Sequence, residues 1–89
     1  MAKISKPPAY VEQLTKALIR DLKKSGIDAV VEAEAVPTTL LYRIHVLAPQ
    51  FKNMTHSERQ NVVWRIAEKA LSPDDQLRIS MIVTLANDE

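Results

Sequence analysis

Apolar residues along this chain recur at two spacings, and the points where one spacing gives way to the other divide it into elements. Between residues 9 and 25, Val11, Leu14, Leu18 and Leu22 follow at steps of three or four, so they share one stripe of a helix, which Ala17 widens. Gly26, the single glycine, comes directly after Lys23, Lys24 and Ser25. It suits the left-handed residue that closes a helix, and the two lysines suit the negative end of the helix dipole. Over residues 27–36 the spacing becomes two, with Ala29, Val31, Ala33 and Ala35 alternating against Val30, Glu32, Glu34 and Val36. Pro37, Thr38 and Thr39 make a short connection, and residues 40–48 alternate again, with Tyr42, Ile44 and Val46 opposed to Arg43 and His45. These two segments are predicted to form a hairpin whose polar face sets Glu32 or Glu34 across from Arg43.

Pro49 stops the second strand and residues 51–54 read as loop. Thr55 then stands three residues before Glu58, the spacing of a reciprocal capping box, so a second helix begins here. Val62, Val63, Ile66, Ala67, Ala70 and Leu71 give that helix its apolar face, with Arg59, Glu68 and Lys69 placed mainly away from it. Ser72, Pro73, Asp74 and Asp75 repeat helix-start chemistry and predict one short helical turn. In residues 77–85 the odd positions Leu77, Ile79, Met81, Val83 and Leu85 are apolar against Arg78, Ser80 and Thr84, and Ile82 breaks the alternation.

The order helix, strand, strand, helix, short helix, strand predicts an α+β two-layer sandwich. A crossover of this length joins parallel neighbours with right-handed sense, so the three-stranded sheet should be mixed. Both long helices are expected on the face bearing Val31, Ile44 and Met81. That leaves Glu32, Glu34, Arg43, His45, Arg78, Ser80 and Thr84 toward solvent. At 89 residues the chain reads as one domain over residues 9–86, between a flexible tail at 1–8 and a short one at 87–89.

Charge and composition narrow the function classes. Twelve basic and eleven acidic side chains leave a formal charge of +1, far from the electrostatic footprint of a dedicated duplex-DNA binder. With no cysteine, disulfides, thiolate catalysis, thiolate ligation of iron–sulfur clusters and cysteine-based zinc sites are excluded chemically. No apolar run has signal-peptide or membrane-spanning length, so a cytoplasmic protein without a membrane partner is expected.

His45 and His56 are the two imidazoles, neither beside a second ligand pair at metal-binding spacing, so no metal site is expected. Lys16, Arg20, Lys23 and Lys24 form a basic stripe on the first helix where phosphate has a place to bind, although such a stripe is also the ordinary solvated side of an amphipathic helix. One glycine cannot build a glycine-rich phosphate cradle. Ser57 and Ser72 are explained by helix starts, and the exposed pair Glu32 and Glu34 lacks the burial that would separate two carboxylate pKa values. The expectation is a protein that is not an enzyme and carries no cofactor. Trp64 sits just off the apolar stripe of the second helix, either flanking the core or anchoring a partner.

The loop-to-helix junction carries a resemblance. Phe51, Asn53, Thr55, Arg59, Val63 and Trp64 fall, without a gap, where the BolA-like family has Phe, Gly, Ser, Arg, Val and Tyr, and the likeness runs over residues 42–89 with the same order of elements. The resemblance implies a fold similar to the second type of KH domain. It also implies functions in transcriptional regulation or in iron–sulfur trafficking beside monothiol glutaredoxins. The family's histidine, which helps hold a shared [2Fe-2S] cluster, falls on Gln60, an amide and a poor iron ligand. The expected function is therefore a non-catalytic binding module, with Phe51, Asn53, His56, Arg59, Gln60 and Trp64 as the partner-binding surface. The alternative is weak single-stranded nucleic-acid binding through Lys16, Arg20, Lys23 and Lys24.

Overall fold

The computed structural model describes residues 7–86, so the two terminal tails expected from the sequence lie almost wholly outside the described residues. Helix α1 spans Ala9–Lys24, strand β1 Val30–Ala35 and strand β2 Tyr42–Leu47; a 3-10 turn at Pro49–Asn53 leads into helix α2, His56–Ala70. The one-turn helix α3, Pro73–Gln76, precedes strand β3, Ile79–Leu85. The sheet order is β1-β2-β3, with β1 antiparallel and β3 parallel to β2. This is the α+β architecture that the spacing predicts.

Local chemistry sets the element ends. Helix α1 closes on Gly26 at a φ of 80°, with the Gly26 N–H donating to Lys23 O at 3.0 Å and the Ile27 N–H to Leu22 O at 2.9 Å. That pair of bonds is a Schellman cap, completed by apolar contact between buried Leu22 and Ile27. Helix α2 starts with the full capping box: Thr55 Oγ1 accepts from the Glu58 N–H at 3.1 Å and the Thr55 N–H donates to Glu58 Oε1 at 2.8 Å. Ser72 caps α3 through Asp75 N–H at 3.2 Å.

Val11, Leu14, Leu18 and Leu22 of α1 pack with Val63, Ile66 and Ala67 of α2 over Ile44, Val46 and Ile82 of the sheet. Helix α1 lies against β1 and α2 against β3, side by side. Strand β1 is thinly covered, since its inward residues after Val31 are alanines, and Ala33 and Ala35 remain exposed.

The last strand departs from the expected pattern. Tyr42 pairs with Ile79, but the next residue, Arg43, pairs with Met81, so Ser80 is an extra residue in β3. An inserted residue reverses which side chains face the core beyond it. Ile79 is inward before the bulge, and Ile82, Thr84 and Ala86 are inward after it, all buried. Met81, expected inside, is 47% exposed, and Leu77, expected in the strand, precedes it and is 79% exposed; Thr84, expected in solvent, is 4% exposed. The lone irregularity at Ile82 is thus the mark of the bulge. Its consequence is an open sheet face that is apolar along one side, where Met81, Val83 and Leu85 continue into Leu47 and Val30.

Candidate functional site

The junction is built outward from a buried pair. Phe51 is fully buried in the 3-10 turn, and its carbonyl accepts the Arg59 Nε–H at 2.9 Å while the Arg59 guanidinium carbon stands 5.7 Å from the Phe51 ring centroid. Arg59 Nη1 also donates to Thr84 O at 3.4 Å. Arg59 is 7% exposed, so its expected position away from the apolar stripe is corrected: it lies one turn before Val63 on the inward side of α2. Main-chain carbonyls at the strand end and the turn make that burial tolerable, because they satisfy a planar donor fork. Phe51 and Arg59 therefore hold the turn, α2 and β3 in fixed relation.

Four members of the predicted surface remain accessible. Asn53 ends the turn and His56 opens α2, both exposed. Gln60 and Trp64 follow His56 at four-residue steps, half-buried, so the three side chains run along one flank of the helix. Gln60 Nε2–H donates to Ile82 O at 2.9 Å, and its Oε1 accepts the Trp64 Nε1–H at 3.1 Å. Trp64 meanwhile packs its ring against the core, so it flanks the core and borders the surface at once. Between this flank and β3 lies an open groove of about 600 Å³, bordered by His56, Gln60 and Trp64 on one side and Met81, Val83 and Leu85 on the other. The strand half of that lining was not read from the sequence, and the spacing of Ile79 to Ile82 was the available signal.

No protein-family model matches the chain, and no curated protein matches it. The family likeness accordingly stands on the residues of the junction and the order of elements alone. Gln60 does not fit the role of the family's cluster ligand: its amide has neither imidazole nor sulfur, and both of its ends are engaged within the protein. Among the described residues no group of three or more histidine or acidic side chains converges as a metal site.

The other predicted residues lie elsewhere. Lys16, Arg20, Lys23 and Lys24 are all exposed on α1. Lys16 borders a groove shared with Val31 and Ala33, and Lys23 a hollow shared with Ile27 and Val30, both on the β1 side of the molecule. Arg20 Nε bonds Asp21 Oδ1 at 3.0 Å, and that hydrogen bond holds the Asp21 carboxyl below its ordinary range. Lys24 faces the seam between the helices, where Arg65 and Lys69 of α2 join it. On the open sheet face, Glu34 Oε1 accepts from Arg43 Nη1 at 2.9 Å and lies 3.0 Å from His45 Nε2, the register expected for Arg43. The His45 contact first, and Arg43 second, lower the Glu34 carboxyl. No helix among the described residues is long and apolar enough to cross a membrane.

Proposed function

We propose that this chain is a BolA-like, non-catalytic binding module that contacts a protein partner through the turn and the first half of α2, residues 49–64. The observation that carries the reading is the accessible row His56, Gln60 and Trp64, set beside an apolar strand edge and supported from within by Phe51 and Arg59. A rigid, partly apolar rim with a half-buried tryptophan is the composition of an interface centre. A monothiol glutaredoxin is the partner the family likeness suggests, bound without the shared cluster because Gln60 supplies no ligand.

The test is capture of partners from lysate followed by chemical-shift mapping of the isolated pair. Shifts centred on Asn53, His56 and Trp64 are expected; shifts confined to the β1 side would overturn the assignment. Mixing with a monothiol glutaredoxin under cluster-assembly conditions should give no stable visible absorption from a bridged complex, and a His56-dependent band would contradict the ligand argument.

A second reading, weak binding of single-stranded nucleic acid, draws on a different observation. Lys24, Arg65 and Lys69 meet around Asp21 at the helix seam, which extends the basic side of α1 onto α2. Phosphate contacts of this kind are salt-sensitive and independent of sequence.

A further inference from the structure

Strand β3 is an edge, and its outer side is not bare. In an extended strand the N–H and C=O of one residue point the same way, and those of Leu85 and Arg78 are turned toward β2, where their carbonyls accept from Ala48 and Tyr42. Ile82 and Thr84 are turned outward, and both of their carbonyls are already taken by side chains of α2: Ile82 O by Gln60 and Thr84 O by Arg59. The amide groups of these same two residues face the groove. An edge of this kind is a template for another strand unless something blocks it.

The sequence of β3 makes the template a strong one. Ile79–Leu85 contains no charged residue, proline or glycine, and it is rich in β-branched side chains. The other edge, β1, carries Glu32 and Glu34 on the open face, and antiparallel pairing of β1 with its own copy would bring like charges together. For β3 the self-pairing is complementary. A two-fold axis at Val83 places Ile82 opposite Thr84 of the second copy, so that each Ile82 C=O, once Gln60 leaves it, accepts the Thr84 N–H across the axis while Arg59 keeps Thr84 O, and it sets Met81 against Leu85 on the open face. The apolar row that the Ser80 bulge turns to solvent would then be continuous across six strands.

We propose that the outer edge of β3 is a pairing surface for a second copy of this chain, and that Gln60, assisted by Arg59, holds that surface closed. Gln60 is the movable part, half-buried and bonded through one amide hydrogen to the strand, whereas Arg59 is buried and anchored to Phe51 O as well. The inference does not rest on the partner proposed for the junction, but a second copy on this edge would occupy the same groove beside Gln60 and Trp64.

Gln60→Met tests it, because methionine keeps the length and helix preference of glutamine but has no donor for Ile82 O. By light scattering after size-exclusion chromatography, the unaltered chain should run at its monomer mass of 10.0 kDa. Gln60→Met should double that mass at high micromolar concentration, and adding Val83→Glu, which opposes two carboxylates at the axis, should return it to monomer. A folded Gln60→Met chain that stays monomeric overturns the proposal, as does a dimer that survives Val83→Glu or an unaltered chain that is already dimeric. Hydrogen exchange on the unaltered chain gives a readout that does not depend on the variant folding. The Ile82 and Thr84 amides should exchange well ahead of those of Val83 and Leu85, and equal protection would mean that the edge is not available.

Discussion

Thr84 Oγ1 is buried without a hydrogen-bond partner, on a strand position flanked in sequence by Val83 and Leu85. A lone buried hydroxyl bears a desolvation cost that no contact offsets, while a valine of the same shape bears none. Thr84→Val is therefore predicted to raise stability by about 1 kcal/mol. Urea unfolding should show a higher midpoint with an unchanged slope, and a loss of stability would mean that the hydroxyl is bonded in solution. Thr84 and Arg59 are also the residues that side-chain polarity misplaces. Both are polar in the sequence and buried in the fold, Arg59 because carbonyl groups of the turn and of β3 receive its donors. Such acceptors belong to the backbone of distant segments, and nothing in the spacing of apolar residues announces them.

At the scale of elements, the ends of α1 and α2 were legible because their signals are local: glycine after lysines, and Thr55 three residues before Glu58. The parity of β3 was not, because a bulge is fixed by the strand beside it. The break at Ile82 showed that strict alternation failed without showing where the extra residue sat. The register now gives a sharp consequence. Deleting one residue from a strand ordinarily turns every later side chain to the wrong face. Deleting Ser80 should instead straighten β3, keeping Ile79, Ile82 and Thr84 inward, and should cost less than about 1.5 kcal/mol, the scale of an ordinary point change. Deleting Val83 should expel Thr84 and Ala86 from the core, drive Leu85 into it, and cost more than about 3 kcal/mol through overpacking and lost burial. Thermal or urea unfolding of the two deletion variants decides it; similar costs would place the extra residue elsewhere.

Across the whole molecule, the two surfaces read from the sequence are separated by the helix layer. Since α1 covers β1 and α2 covers β3, the row His56, Gln60, Trp64 opens on one side, while Lys16 and Lys23 open on the opposite side. The sequence places these residues on helix faces but not those faces relative to each other, because the side-by-side packing of α1 and α2 is a long-range contact. A single ligand laid along the turn and the start of α2 does not reach the basic stripe, so binding through each surface is separable. The double change Lys16→Glu with Lys23→Glu reverses two charges of the stripe at exposed positions and leaves the core intact. It is predicted to weaken any binding of random single-stranded oligonucleotides by tenfold or more at low salt and to flatten its salt dependence, since each phosphate contact removed lowers that slope by about 0.7. Chemical shifts produced at Asn53, His56 and Trp64 by a protein partner should be unchanged. Fluorescence anisotropy and the same shift titration measure the two effects on one sample. Loss of both bindings together would mean that they share a surface, against the arrangement of the helices over the sheet.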